Sequence, residues 1–593
     1  MNVKQKRLKY RNTKAENMKK FLLTGLLLLA TGPVFSQQNK LNFPKLEKQI
    51  QQTVEKIYKT SVAILDYDTL SKVQRPHGSG VVISADGFVL SAGHVVKPNQ
   101  HYVVMFSDGR KFKAIGLGST SLSVNDAAIL KITEKGNWPY AEMGWSSALK
   151  TFTPCLAISY PGNLSFRNVQ SPTLRLGYLM DATKQKGHKA WFQTSCVKEP
   201  GDSGGPTFDL MGRVIGITSQ GDSLSADNFD VPINDYRKYW NALIQAKNYD
   251  KWPEESSPVP PDPLAGQLIQ LPALASINNN PDLDSRLGKL LKTSFKLKSK
   301  NDSLEVSILA TLVDLSAILP ANRLKGKSYL ISKSSVLGNE VQIELSNTKS
   351  IKGRVLKRDE ANDLALIETD HKIDGGIALT KTNSTTSFAD IGRFLISPLA
   401  NQAKKVSVLG NVPLAIPAFT PIQATFALSD DGKVMLTILD MASPLKAAKL
   451  KKGDQLKAIN GVAINSLALL TAELARYKPK DSVSIAYVRA GQLQQKKIRV
   501  YAPDAFDDGP QRHVATHFEG GISKRRDNFA IALAHDGKIY PEECGGPLLG
   551  TDGKFYGINI ARLSRAVTLA IPAGLIVEFV ETALNNQKNK PLN

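Results

Sequence analysis

The sequence predicts a mostly β chain of several domains, and three observations carry that prediction. Short apolar runs with period-two alternation recur along the chain, as in "SGVVISADGFVLSA" (79–92), each bounded by turn residues. At 593 residues the chain is too long for one hydrophobic core. It also repeats itself: "PEECGGPLLGTDGKFYGINI" (541–560) overlies "PGDSGGPTFDLMGRVIGITS" (200–219), and "NDLALIE" (362–368) overlies "NDAAILK" (125–131). A hydrophobic content of 42% and a charged content of 22% fit an ordinary globular protein.

The elements follow in chain order. "MKKFLLTGLLLLATGPVFS" (18–36) joins two lysines, an apolar stretch and a small final residue, the three parts of an export signal cleaved after Ser36. The apolar stretch falls short of the ~20 residues that a spanning helix needs. Residues 1–36 are therefore read as a signal peptide, with Met18 as an alternative start, and the mature chain as periplasmic or secreted. They hold +7 of the net charge of +23, and the remaining +16 suits contact with an acidic envelope surface. No basic–aromatic stripe accompanies the charge, so no nucleic-acid partner is expected. The eight histidines lack ligand spacing such as H-E-x-x-H, so neither a metal nor a cofactor is expected.

The first domain spans 42–250 and holds three segments whose chemistry belongs together. "GSGVVISADGFVLSAGHVV" (78–96) is a strand hairpin that ends at His94. "NDAAILKI" (125–132) places Asp126 just before an apolar strand, and "PGDSGGP" (200–206) holds Ser203 in a glycine-rich turn. A serine hydroxyl becomes a useful nucleophile when an imidazole takes its proton, and a buried carboxylate fixes the imidazole tautomer. Glycines let consecutive amides point at the oxygen that becomes negative. The expected catalytic residues are thus His94 as base, Asp126 as its orienter and Ser203 as nucleophile, with Gly201 and Ser203 as oxyanion donors.

On these residues, with "LAISYPGN" (156–163), the segment 45–245 resembles the trypsin-fold serine proteases of the HtrA/Do-like family. The resemblance implies a double β-barrel with its site between the barrels, endopeptidase activity through an acyl-enzyme, polypeptide substrates and a trimer-like homo-oligomer. It makes Val197 the floor of the S1 pocket, which favours small or aliphatic residues over Lys or Arg. Two departures stand out. Asp202 occupies the place where the family usually carries Asn, so a Lys, Arg or backbone partner for it is expected. The connection between "AILDYD" (63–68) and "GSG" (78–80) is short, which argues against large cage assemblies. Three cysteines, Cys155, Cys196 and Cys544, leave at least one thiol unpaired; Cys155 and Cys196 fall on strands of one barrel, as a bridge or as two buried thiols.

"KWPEESSPVPPDPL" (251–264) opens a Pro-rich linker assigned to 251–300. The repeat then resembles a second, degenerate trypsin-like domain in two parts, 301–415 and 503–593. Its counterpart of His94 is Ser335, of Asp126 Asp363, of Ser203 Cys544 and of Gly201 Glu542. The base is lost, and two adjacent acids, Glu542 and Glu543, are expected to raise the thiol pKa. The repeat is therefore read as catalytically dead unless His513, His517 or His535 serves Cys544. Between its parts, "SPLKAAKLKKGDQLKAING" (443–461) starts a helix at Pro444 behind the capping Ser443 and turns at Gly453-Asp454 into a strand. Residues 416–502 resemble a PDZ domain, which would bind a C-terminal peptide at Lys433, Val434, Met435 and Leu436.

The function these readings support is an exported endopeptidase acting on misfolded or exposed proteins, the other domains recruiting substrate or regulating. The alternative is a chaperone or scaffold with a seldom productive first site.

Overall fold

The computed structural model describes residues 41–585, apart from 69–72, 166–170, 182–184, 187–188, 222–227, 302–303, 325, 381–385, 418–421, 423, 440–442, 475, 478–480 and 501–517. The export signal, His513 and His517 lie outside the described residues. Among the described residues no helix is long and apolar enough to cross a membrane.

The chain opens with helix α1 (Phe43–Ile57), capped by the Asn42 side chain, which accepts the Lys45 N–H at 3.1 Å. Phe43, Leu46, Ile50, Val54 and Ile57 form its buried stripe at helical spacing. Six strands then close into a barrel: β1 (Ser61–Asp68), β2 (Val73–Val82), β3 (Phe88–Ala92), β4 (His101–Met105), β5 (Lys111–Thr120) and β6 (Ala127–Ile132), with β5 pairing both β4 and β6. A second closed barrel follows from β7 (Pro154–Ser159), β8 (Thr173–Asp181), β9 (Phe192–Thr194), β10 (Pro206–Asp209), β11 (Val214–Gly221) and β12 (Asn228–Pro232). Closure removes open sheet edges, which lets short strands with fully apolar inner faces stay soluble.

A second pair of barrels comes next, in keeping with the repeat. Its first barrel closes through β13 (Ser294–Asn301), β14 (Leu304–Asp314), β15 (Ser328–Lys333), β16 (Glu340–Ser346), β17 (Lys349–Asp359) and β18 (Leu364–Thr369). The next sheet starts with β19 (Phe394–Pro398), β20 (Lys404–Val408) and β21 (Leu414–Ile416). The chain then leaves to build a separate five-stranded path of β22 (Ala424–Leu428), β23 (Val434–Leu439), β24 (Gln455–Ile459), β25 (Ser482–Arg489) and β26 (Gln492–Arg499), with helix α2 (Leu467–Leu474) against it. It returns to complete the sheet with β27 (Phe529–His535), β28 (Pro547–Gly550), β29 (Phe555–Arg562) and β30 (Thr568–Pro572), and ends in α3 (Ala573–Asn585). A Leu409–His535 bridge brings the two ends of that sheet together.

The linker assignment needs correction. Within 251–300, Asp262 is buried in an ion pair with Arg213 at 2.9 Å, the Leu271 N–H donates to the Phe152 carbonyl at 2.8 Å, and Leu274, Leu283, Leu287 and Leu291 enter the main core. Strand β13 already starts at Ser294. Polar, Pro-rich composition reads as a spacer because extended chain needs no partner strand. Here its carboxylate and leucines are anchored instead.

The two barrel pairs share strand β8. The Leu174 N–H donates to the Gly410 carbonyl at 2.9 Å and the Leu176 N–H to Asp536 at 3.1 Å, while the Val408 N–H reaches the other oxygen of Asp536 at 2.7 Å. Helix α1 adds an edge-to-face contact of Phe43 on Phe394, and Glu47 accepts the Phe394 N–H. Burial raises the Asp536 carboxyl from 3.8 to about 6. Folding therefore favours its protonated form, so its stabilising contribution is complete below 3.8 and is lost as pH rises through about 6. The thermal midpoint of the native chain should fall relative to an Asp536→Asn variant between about pH 4 and about pH 7. A pH-independent difference between the two would count against this assignment.

Candidate active site

The site lies between the first two barrels. Gly93 precedes His94 because a Cβ there would stand 2.1 Å from the Thr120 carbonyl oxygen. The Gly93 N–H donates to the Asp126 carbonyl at 2.8 Å, and Asp126 holds a left-handed φ of 69°, a conformation Asp tolerates better than most residues. Its fully buried carboxylate accepts the His94 N–H at 2.8 Å and meets His94 Nδ1 at 2.9 Å. The Ser219 hydroxyl donates to the same carboxylate. A carboxylate opposite Nδ1 keeps the proton there and leaves Nε2 as an acceptor facing the cleft.

Ser203 sits in a turn clamped by both barrels. Its carbonyl accepts the Ser79 N–H at 2.8 Å, and the Gly204 N–H donates to the Thr218 carbonyl at 2.7 Å. Gly201 (φ 95°) and Gly204 (φ 84°) supply backbone that other residues resist; a Cβ at Gly204 would lie 2.2 Å from the Ser79 carbonyl oxygen. Among the described residues, neither the Gly201 nor the Ser203 N–H has a protein acceptor. Ser203 Oγ donates to the Ser219 carbonyl at 3.5 Å. His94, Gly201 and Ser203 line one cleft of about 270 Å³.

The partner expected for Asp202 is Arg175. The guanidinium lies 2.6 Å from the carboxylate, fully buried, and Ser159 Oγ and the Glu199 N–H bond Asp202 at 2.7 Å each. Burial alone would lower the Arg175 pKa, but Asp202 and Glu199 hold it above its ordinary value. Neither Arg175 nor Ser219 was identifiable from spacing, since each reaches the site from another strand.

Comparison with known proteins agrees with this geometry. Residues 78–217 match the family of trypsin-like peptidase domains, and residues 422–500 match PDZ domains. The chain carries a trypsin-like peptidase domain and a PDZ domain. A protein of Bartonella henselae named as a probable periplasmic serine endoprotease, DegP-like, is 30% identical over 194 residues, 30% of this chain and 37% of the relative. A protein of the same description from Halomonas elongata is 35% identical over 151 residues, 25% of this chain and 30% of the relative. The chain spans about a third of the length of the curated relatives it matches. In these features it resembles the HtrA/Do-like serine proteases.

The structure does not bring Val197 to the cleft of the peptidase domain. Half-buried, it packs against the apolar cluster that contains Leu164 and residues of the second barrel pair. Its neighbour Lys198 is buried against Asp230 at 3.2 Å, with Thr207 and Thr218 completing the ammonium's partners. Cys155 and Cys196 are buried thiols 3.9 Å apart.

The second barrel pair repeats the backbone of the turn with other side chains. Asp363 has φ 58° and its carbonyl accepts the Ser334 N–H, while Gly545 (φ 90°) donates to the Asn559 carbonyl at 2.7 Å, as Gly204 does to Thr218. Ser335 stands opposite Asp363, its hydroxyl donating at 2.9 Å. A buried ammonium, Lys333, also pairs with Asp363 at 2.6 Å and donates to the Arg525 and Ile560 carbonyls. The carboxylate that would orient a histidine is thus consumed in a structural ion pair. The 3-10 turn Pro541–Glu543 ends at Cys544, which is fully buried. Burial is the main cause raising its thiol pKa and Glu543 only a minor one, because Glu543 turns to Lys405 and the Tyr540 N–H. His535 is no base for it: Nε2 bonds Asn559, Nδ1 accepts the Gly537 N–H, and burial lowers its pKa to about 4.

The peptide-binding residues expected in the PDZ domain are also corrected. Val434, Met435 and Leu436 lie on β23, which pairs with β22 on one side and β24 on the other. Val434 and Leu436 fill the domain core, and Lys433 pairs with Asp431. Their backbone offers no open edge. The outer strands are β22 and β26, and α2 packs against β22.

Proposed function

We propose that this chain is an exported serine endopeptidase of the HtrA/Do-like kind, periplasmic or secreted, that cleaves misfolded or exposed polypeptides. The observation that carries the reading is the convergence of the Asp126-bound His94, Ser203 and two unengaged amides in one cleft. Ser203 Oγ attacks the scissile carbonyl while His94 Nε2 takes its proton, and Asp126 supports the imidazolium. The oxyanion lodges on the Gly201 and Ser203 amides. His94 then protonates the leaving amine, and water hydrolyses the acyl-enzyme by the same path in reverse. Catalysis belongs to the first barrel pair alone. The buried Cys544 and the Lys333–Asp363 pair support an architectural or regulatory role for the second. The PDZ domain recruits substrate C-termini, with β22, flanked by α2, as the strand that a peptide extends.

The test is intact-mass analysis of the full chain after a serine-reactive fluorophosphonate. One adduct that vanishes in Ser203→Ala is expected, because phosphonylation requires base, nucleophile and oxyanion donors together. No adduct, or one that persists in the variant, overturns the reading.

A further inference from the structure

Among the described residues, the cleft at Ser203 extends over the first barrel. Apart from the catalytic turn, it is lined by Leu65 on β1, Pro76 and His77 on β2, Met105 on β4 and Tyr160 after β7. These residues come mostly from the first barrel, on the His94 side, and none comes from β11, β12 or the segment around Val197. The side can be assigned chemically. In the proposed reaction His94 must protonate the leaving amine, so the substrate chain beyond the scissile bond passes His94 and lies over the first barrel.

The well is apolar at its floor and polar at its mouth. Leu65, Met105 and Tyr160 are almost entirely buried and pack with Ala63 and Val103 into one cluster, whereas the His77 ring is exposed at the rim. The cleft as a whole, catalytic turn included, encloses about 270 Å³. A buried apolar floor with one polar group at the rim is the make-up of a side-chain pocket.

We infer that Leu65, Met105 and Tyr160 form a specificity pocket on the leaving-group side, which selects a bulky apolar residue at one of the first two positions after the cut. This rests on the protease reading above and deepens it by naming the substrate class.

The experiment digests reduced, unfolded casein with the full chain and identifies the new N-termini by mass spectrometry. Leu, Ile, Met, Phe and Tyr should be enriched about tenfold over Gly, Ser and Asp at one of the first two positions, the discrimination an apolar pocket provides. An Ala63→Leu variant, which fills the well, should reverse the preference toward small residues. Leu65→Ala, which widens it, should favour aromatic ones. Fluorophosphonate labelling of each variant establishes that its site is assembled. Labelling and digestion with no preference at the new N-termini overturn the pocket alone. Absence of both in the native chain overturns the protease reading and the pocket with it.

Discussion

Replacing His94 with alanine is expected to reduce kcat on an unfolded protein by a factor on the order of 10⁵–10⁶, with little change in the circular dichroism of the chain. The geometry gives the reason. Among the described residues Ser203 has no other base in the cleft beside it, since the Ser219 hydroxyl is committed to Asp126 and His77 stands at the rim. The losses should not add. A His94→Ala, Ser203→Ala double variant should be scarcely slower than either single one, because nucleophile and base act as a unit. Steady-state proteolysis of the three variants checks this. A single variant that retains a tenth of the native rate would mean that another group accepts the proton.

The second large effect is expected at Arg175. Exchanging it for methionine leaves Asp202 as a buried carboxylate without its cation, a loss of about 3–5 kcal/mol. The activity should fall further than the stability. Asp202 lies between the two oxyanion donors, and without its ion pair the turn can relax so that one amide leaves its station, at a cost of about 10²–10³ in kcat. KM should move much less, since the cleft walls come from β1, β2 and β4. Adding Asp202→Asn to Arg175→Met should restore most of the stability, because the unpaired charge is then gone. Thermal unfolding and kcat of the single and double variants decide the matter; an Arg175→Met chain with native kcat would remove Arg175 from the positioning of the turn.

Local demands on the backbone made the centre of the site legible. His94, Asp126 and Ser203 lie in segments whose turn residues and strand patterns constrain one another within a few positions, and the structure places His94 and Ser203 on one cleft with Asp126 buried behind the imidazole. The helix start at Ser443-Pro444 was readable for the same reason, and Ser443 accepts the Leu445 N–H as a cap should. What escaped depends on packing between distant strands. Arg175 is 27 residues from Asp202, and Lys333 is 30 from Asp363; nothing local marks either as a buried cation. Val434–Leu436 are assigned to the peptide site by resemblance alone; "VMLTIL" reads equally as a central or an edge strand, and β22 and β24 flank it on both sides. For Val197, likewise, sequence gives the distance from Ser203 but not the apolar cluster against which it packs.

The shared strand β8 has a consequence for how this chain can evolve. A domain that supplies no residue to the proposed catalytic cleft is ordinarily expendable. Here the second barrel pair supplies Gly410 and Asp536 as acceptors for the Leu174 and Leu176 amides, on either side of the arginine that fixes the nucleophile turn. Deleting it would strand those amides, at about 1–3 kcal/mol for each that water cannot reach, and would bare the apolar side chains around them. The half that holds the proposed site depends on its neighbour for these contacts, so selection that keeps the one also preserves the other.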